Sequence, residues 1–187
     1  MVMPHLDGAY NLARWLCRND HDAEDIVQEA CLRAFRFFDS FHGDNARAWL
    51  LSIVRNTTWT WMQENRRSEL TTSFDEDLHG GQDSASVTIL THPETNPEAI
   101  LAREDDRGLV NQALEALPLE FREALVLREL EELSYKEIAD VAGIPMGTVM
   151  SRLARGRKLL AEQLQRLVKE SRSGLQRNQG PAARPRG

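Results

Sequence analysis

A stretch near the C-terminus places hydroxyl and guanidinium groups on one side of a predicted helix. The polar residues on that side are Thr148, Ser151, Arg152, Arg155 and Lys158. At about 100° per residue, the opposite side carries Val149, Leu153, Leu160 and Leu164. Arginine can donate two hydrogen bonds to guanine, and lysine can hold phosphate. The pattern predicts a helix that packs through one face and enters a DNA major groove with the other.

The residues before this helix predict a helix-turn-helix that would hold it. Ser134 and Glu137 have the spacing of a capping box, which starts a helix. Ala139 is small where two helices would approach each other, Gly143 can adopt a positive φ, and Pro145 suits the opening of the next helix. The plain alternative is an amphipathic helix with a basic solvent face. That alternative does not explain why the capping box, turn and basic helix occur together.

The negative charge of the chain is concentrated in its middle. The net charge is −6 over 187 residues, yet residues 68–108 alone hold 10 acidic and 2 basic residues. Residues 109–187 hold 13 basic and 10 acidic residues, so the local potential near the basic helix suits phosphate. Residues 68–97 are rich in Gly, Ser, Asp and Pro, which predicts a flexible acidic linker. Residues 171–187 are poor in apolar side chains and are predicted to be disordered.

Apolar periodicity predicts an all-α chain of two small helical domains joined by that linker. Helices are expected near 6–18, from about 22 onward, and at 46–65, 98–116, 119–129, 135–142 and 146–168. Asp22 is a plausible N-cap of the second helix. The stripe expected to bury that helix is formed by Ile26, Val27, Ala30, Ala34, Phe35 and Phe38.

Several function classes find no support in the sequence. No apolar run approaches the roughly 18 residues of a membrane span, and the N-terminus lacks signal-peptide features, so we expect a cytoplasmic protein without membrane insertion. Cys17 and Cys31 have no metal-ligand spacing and are expected to be buried free thiols. The histidines lie in no ligand or triad spacing, and there is no phosphate loop or nucleophile motif. We therefore expect no enzyme activity, metal or cofactor.

Three segments together resemble a known family. They are DAEDIVQEACLRAFRFFDSF, ARAWLLSIVRNTTWTWMQENRR and ALEALPLEFREALVLRELEELSYKEIADVAGIPMGTVMSRLARGRKLL. In this order they resemble regions 2 and 4 of bacterial sigma factors, most closely the short extracytoplasmic-function group. The resemblance implies a promoter-recognition subunit of RNA polymerase, with region 2 at residues 1–67 and region 4 at residues 98–170.

The resemblance also implies the binding residues. The helix edge expected to dock on the β′ coiled coil of core polymerase carries Asp22, Asp25, Gln28 and Glu29. The β subunit of core polymerase is expected to contact the chain as well. The −10 element is expected to meet Phe41, His42, Asp44, Asn45, Arg55, Asn56 and Trp59. The −35 element is expected to meet Thr148, Met150, Ser151, Arg152, Arg155 and Lys158.

Some of these roles leave alternatives open. Trp49 shares a helix face with Ile53, so it can be a core residue rather than a base-stacking one, and the two readings of Trp59 are evenly balanced. Met150 stands where the family commonly has a polar or basic residue, and it could contact a thymine methyl group instead.

Two further points concern partners. The family often uses an anti-sigma factor as an inhibitory partner, so one is expected here. A helix-turn-helix repressor or activator that acts without polymerase is the main competing hypothesis. The acidic N-terminal helix argues against it.

Overall fold

The computed structural model describes residues 3–41, 45–72 and 97–177. Its α-helices are α1 (Leu6–Cys17), α2 (Asp20–Arg36), α3 (Ala46–Thr72), α4 (Pro97–Glu115), α5 (Leu119–Leu125), α6 (Tyr135–Ala142) and α7 (Met146–Arg177). Short 3-10 turns cover Met3–His5 and Phe38–Ser40, and a π turn covers Val126–Leu130 directly after α5. The described residues contain no strand, and the all-α prediction is confirmed.

Helices α1, α2 and α3 pack pairwise into a first helical unit around a core that includes Leu12, Ile26 and Leu50. Arg18 ends α1 in the left-handed conformation, with φ 63°. Asn19 then caps α2, because its side chain accepts a hydrogen bond from the Asp22 N–H at 3.1 Å. The prediction of Asp22 as the cap was therefore wrong: Asp22 lies in the first turn, where its negative charge suits the helix dipole.

The apolar stripe predicted for α2 is only partly buried. Ile26, Ala30 and Ala34 are in the core, but Phe35 is 71% exposed and Phe38 is 44% exposed. Phe35 follows Ile26 by nine positions, which at about 100° each places the two residues on opposite sides of the helix. Phe38 lies beyond the end of α2 at Arg36. Both aromatic residues therefore belong to the surface.

Helices α4 to α7 form a second helical unit that contains the helix-turn-helix. The capping box is present: Ser134 Oγ accepts from the Glu137 N–H at 3.3 Å, and Glu137 Oε2 accepts from the Ser134 N–H at 2.7 Å. Gly143 ends α6 with φ 64°, as its position predicted. On α7, Gly156 faces α5 so closely that a Cβ atom there would lie 3.3 Å from the Leu125 side chain.

Two helices run further than the sequence pattern indicated. Helix α3 continues to Thr72, into the segment 68–97 predicted as linker, and α7 continues to Arg177, into the tail 171–187 predicted as disordered. An established helix adds residues at low cost, and neither extension contains proline. The remainder of both segments, residues 73–96 and 178–187, lies outside the described residues.

The two helical units pack against each other. Helix α3 contacts α6, and α1 contacts α5 and the π turn that follows it. Buried apolar side chains form one continuous cluster that includes Leu16 of α1 and Leu117 before α5. This arrangement brings polar residues of α3 against carboxylates of the second unit.

Candidate nucleic-acid and polymerase interfaces

The exposed face of α7 carries most of the residues predicted to meet the −35 element. Met150 is 47% exposed, Ser151 and Arg155 are exposed, and the Lys158 side chain is 79% exposed. Val149 and Leu153 on the other face are almost completely buried. Thus α7 is anchored through one side and presents the other to solvent.

Two of the predicted −35 residues differ from that pattern. Thr148 is half-buried, and its carbonyl oxygen accepts a hydrogen bond from Ser151 Oγ at 2.9 Å. Arg152 turns toward α5, where its NH1 atom lies 3.5 Å from Glu123 Oε2. The structure therefore separates Arg152 from the exposed group of Met150, Ser151, Arg155 and Lys158.

The described residues predicted to meet the −10 element lie just before α3 and along its first four turns. His42 and Asp44 lie outside the described residues. The Phe41 ring packs against the ring of Trp49, with centroids 4.9 Å apart. Trp49 is half-buried against the core, so its apolar contacts are shared between the core and Phe41.

Asn45 both caps α3 and contacts the second helical unit. Its Oδ1 atom accepts a hydrogen bond from the Ala48 N–H at 2.9 Å, which satisfies a donor in the first turn. Its Nδ2 atom donates to the Glu137 carboxylate at the start of α6. Hydrogen bonds within the capping box lower the pKa of Glu137, and the contact with Asn45 acts in the same direction.

Glu123 of α5 binds three of the predicted DNA-contacting residues. Its Oε1 atom accepts from Arg55 Nε at 2.8 Å and from Trp59 Nε1 at 3.1 Å, and its Oε2 atom faces Arg152. The Arg55 guanidinium also lies 4.9 Å from the centre of the Trp59 ring, within cation–π range. The Glu123 side chain is 1% exposed. Asn56 is exposed beside this group and accepts from Arg55 NH1 at 3.2 Å.

A second buried carboxylate lies nearer the start of α3. Glu131, after the π turn, pairs with Arg47 at 2.6 Å, and its side chain is only 3% exposed. It also lies against α1, where a Cβ atom at Gly8 would overlap Glu131 Oε2. Because Gly8 has no side chain, there is room for the Glu131 carboxylate beside α1.

Arg122 joins the two units without a carboxylate partner. Its guanidinium donates to the backbone oxygens of Glu115 at 2.9 Å and of Leu16 at 3.4 Å, at the C-terminal ends of α4 and α1. A cation is favourable where helix carbonyls lack partners. Burial, together with the charge of the nearby Arg18, lowers the pKa of Arg122 to about 10.

The predicted polymerase dock lies on the accessible side of α2. Asp25 and Gln28 are exposed, Asp22 is half-buried, and Glu29 is half-buried and pairs with Arg33 at 2.8 Å. Burial raises the pKa of Asp22. A cavity of about 300 Å³ opens between α2 and α3 and is lined by Asp25, Ile26, Glu29, Arg33, Thr57, Thr60, Trp61 and Glu64.

Two apolar residues extend this surface and were not predicted. Leu32 is 54% exposed and Phe35 is 71% exposed. Both lie on the side of α2 that carries Gln28, as a strict 100° rotation per residue would have indicated.

The described residues show neither a membrane-spanning helix nor a metal-ligand cluster. No described helix is long and apolar enough to cross a bilayer. No group of three or more His, Cys, Asp or Glu side chains in the described part is arranged to hold a metal ion. Cys17 and Cys31 are free thiols of intermediate exposure.

Comparison with known families and proteins assigns both helical units. Residues 1–68 match the family described as Sigma-70 region 2, and residues 107–160 match Sigma-70, region 4. The chain is 38% identical over 150 residues to the ECF RNA polymerase sigma-E factor of Escherichia coli K12. The matched residues cover 79% of this chain and 76% of that protein. It is 35% identical over 164 residues to the ECF RNA polymerase sigma factor SigE of Mycolicibacterium smegmatis, covering 88% of this chain and 60% of that protein.

Two solved structures share the fold. The sigma factor RpoE in complex with the anti-sigma factor NepR from Bartonella quintana gives a TM-score of 0.67 at 28% identity, covering 88% of this chain and 94% of that one. CnrH in complex with the cytosolic domain of CnrY gives a TM-score of 0.58 at 24% identity, covering 88% of this chain and 84% of that one, which supports the fold alone. The sequence relatives, the two matched regions and the shared fold agree. The chain belongs to the extracytoplasmic-function group of RNA polymerase sigma factors, which bind core polymerase and promoter DNA and direct transcription initiation.

Proposed function

We propose that this sigma factor reads the −35 element through residues 98–170 and the −10 element through residues 1–67. The observation that carries the proposal is the two-sided burial of α7, with Val149 and Leu153 in the core and Arg155 and Lys158 in solvent. A helix that enters a major groove must pack against its own domain through one face and leave the opposite face exposed to the DNA.

Within the −35 surface, Arg155 is proposed to read a base and Lys158 to bind phosphate. Arg155 lies near the centre of the exposed face, and its guanidinium can donate to guanine O6 and N7 together. Lys158 lies nearly one turn later and is highly exposed, which suits a backbone contact. Thr148, Met150, Ser151 and Arg152 complete the proposed contact set, with Met150 suited to a thymine methyl group.

The proposed −10 surface lies along the first four turns of α3. Arg55 and Trp59 offer a guanidinium and an aromatic ring that could stack on an unpaired base, and exposed Asn56 could read its edge. Phe41 and Asn45 border this group. His42 and Asp44 are included from the family resemblance.

The proposed dock for core polymerase is the outer face of α2. Carboxylates at Asp22, Asp25 and Glu29 would meet basic side chains of the β′ coiled coil, with contributions from the β subunit elsewhere. The exposed Leu32 and Phe35 add apolar area to the same face, which makes it a combined ionic and apolar surface.

Reconstitution with core RNA polymerase tests the proposal. The double variant Asp25→Lys, Glu29→Lys should fail to bind core and to start transcription from its promoter, because like charges would then face the dock. The matched control, Asp7→Lys with Glu132→Lys, makes the same charge change at exposed positions outside α2 and should remain active. Circular dichroism should show equal helicity for both.

Two outcomes would contradict the proposal. Undiminished core binding by the α2 variant would mean that this face is not the dock. Tight, sequence-specific duplex binding by the chain alone, with no effect on transcription by core, would indicate a repressor or activator instead.

We also propose that an anti-sigma factor binds this chain. The sigma factor RpoE of Bartonella quintana, described above, was solved in complex with the anti-sigma factor NepR. The proposal predicts that one stoichiometric partner co-purifies with the chain from its native cell and is released when its regulon is induced.

A further inference from the structure

We propose that Met150, together with Met146 one turn before it, is an oxidation site, and that its conversion to methionine sulfoxide by a peroxide weakens binding of the −35 element. The inference rests on the −35 role proposed for Met150. It adds to that role a reversible covalent modification of the same side chain.

The two methionines lie together at the start of α7. They are four residues apart, and residues at this spacing are neighbours on the surface of a helix. Met146 is 49% exposed and Met150 is 47% exposed, so a small oxidant can reach both side chains. The space beside them is open, because a Cβ atom added at Gly147 would have no heavy atom within 4 Å.

The two thiols of the chain compete poorly for the same oxidant. Peroxides attack the thiolate form of cysteine rather than the thiol. Burial raises the pKa of Cys17 to about 11 and also raises the pKa of Cys31, so both thiols stay protonated near neutral pH. A thioether has no proton to lose, so its reaction with a peroxide does not require ionisation. The exposed methionines are therefore favoured targets.

The reaction transfers one oxygen atom. A lone pair on the methionine sulfur attacks one oxygen of hydrogen peroxide, an S–O bond forms and the O–O bond breaks. The proton of the transferred oxygen passes to the leaving hydroxide, which becomes water. The sulfur is oxidised by two electrons and the peroxide is reduced by two. Methionine sulfoxide reductases reverse the change, so the modification can act as a switch.

The oxidised side chain does not suit the contact proposed for Met150. The apolar end of methionine can contact a thymine methyl group, whereas a sulfoxide is polar and carries an acceptor oxygen. Many groups on the major-groove edges are also acceptors: purine N7, guanine O6 and thymine O4. An acceptor placed against these groups or against a methyl group loses its water without gaining a hydrogen bond, which is unfavourable.

The fold should tolerate the modification. Val149 and Leu153 anchor α7 from the opposite face and are almost completely buried. Neither Met146 nor Met150 belongs to the apolar cluster that forms the core of the described residues. Oxidation should therefore change DNA binding and leave the helicity and the free energy of unfolding nearly unchanged.

The test treats the purified chain with hydrogen peroxide, removes the peroxide with catalase, and reduces reversibly oxidised thiols with dithiothreitol, which leaves sulfoxides in place. Peptide mapping by mass spectrometry should find sulfoxide at both positions. Holoenzyme assembled with untreated core polymerase should bind its preferred promoter roughly tenfold more weakly, the factor that corresponds to losing about half of the burial of a methionine side chain. Binding to a promoter with a scrambled −35 element should change far less. Methionine sulfoxide reductases should restore the affinity.

Two variants show which methionines are responsible. The double variant Met146→Leu, Met150→Leu has hydrocarbon side chains of similar volume that peroxide does not oxidise. Whatever its starting affinity, its dissociation constant should be the same before and after treatment. Met3→Leu is the matched control, because Met3 is 75% exposed and lies outside α7. This control should lose affinity on oxidation by the same factor as the unmodified chain.

Three results would overturn the inference. They are full affinity in a chain whose Met150 is oxidised, an equal loss in the double leucine variant, and an unmodified Met150 under conditions that oxidise Met3. Failure of the underlying −35 assignment looks different. Arg155→Ala holoenzyme would then bind the preferred and the scrambled promoters as the unmodified holoenzyme does, whether or not Met150 is oxidised.

Discussion

Arg55→Ala is expected to destabilise the chain more than Glu123→Gln, although both changes remove the same ion pair. The Glu123 side chain is 1% exposed, whereas Arg55 is 18% exposed and Arg152 is 24% exposed. An arginine that loses its partner can turn toward water. A carboxylate that loses its nearest cation here cannot.

The burial of each group sets the expected size of the two effects. Leaving a buried charge unpaired costs about 3–5 kcal/mol, and the remaining contacts of Glu123 with Trp59 and Arg152 should reduce this to about 2–3 kcal/mol for Arg55→Ala. Glu123→Gln leaves no buried charge and keeps an oxygen that can accept from Arg55. Glu123→Gln should therefore lower the free energy of unfolding by about 0.5–1.5 kcal/mol, the contribution of an ordinary hydrogen bond.

Urea unfolding followed by far-UV circular dichroism measures both free energies. Arg66→Ala, an exposed arginine on the same helix, controls for the loss of side-chain length and should change the free energy of unfolding by less than about 0.5 kcal/mol. The double variant Arg55→Ala, Glu123→Gln should lose about 1–2 kcal/mol less than the sum of the single variants, because the two residues are in contact. Equal losses for the two single variants would refute the argument from burial.

Three further predictions follow from contacts described above. Arg155→Ala should weaken holoenzyme binding by roughly 1–3 kcal/mol on the preferred −35 sequence and less where the contacted base pair is changed. Lys158→Ala should weaken binding to all sequences equally and lower by about one the slope of log binding constant against log salt concentration. A uniform loss for Arg155→Ala would show that Arg155 contacts phosphate. The pKa of Glu137 lies below its ordinary value of 4.5, so its charge stabilises the fold above that pH and this contribution is lost as pH falls; Glu137→Gln should flatten the acid side of the Tm profile, and an unchanged profile would exclude this contribution. Burial raises the pKa of Cys17 to about 11, so Cys17 should react with iodoacetamide more slowly than Cys31 at mildly alkaline pH, as peptide mapping would show, and equal rates would contradict this.

The helix-turn-helix could be predicted from sequence because its signals are local. The capping box spans four residues, Gly143 is needed at one turn, and the apolar face of α7 repeats within the helix. Each of these features depends on neighbours in the chain. Their structural outcome therefore followed without knowledge of the remaining fold.

The interface between the helical units could not be predicted in this way. Arg55 and Trp59 were singled out by type and position, but their partner Glu123 is 68 residues from Arg55 in sequence. In the sequence, Glu123 looks like a charged residue on an ordinary amphipathic helix. Only packing of α5 against α1 and of α6 against α3 brings that carboxylate into the interior.

The error at Phe35 had a different origin. Apolar residues along α2 were assigned to one stripe without following their rotation, although the helix turns far enough to place Phe35 opposite Ile26. The same rotation separates the buried residues from the face proposed to bind polymerase. A strict angular count would have identified Leu32 and Phe35 as surface residues.

The close approach of α7 to α5 at Gly156 couples these two helices into one rigid body. With no Cβ atom at that position, α7 lies directly against Leu125 of α5, two residues from Glu123. Little sliding between these helices is possible without steric overlap, since packed interiors resist small displacements. Any movement of α5 must therefore carry α7 with it, so Glu123 and the exposed face of α7 change position together.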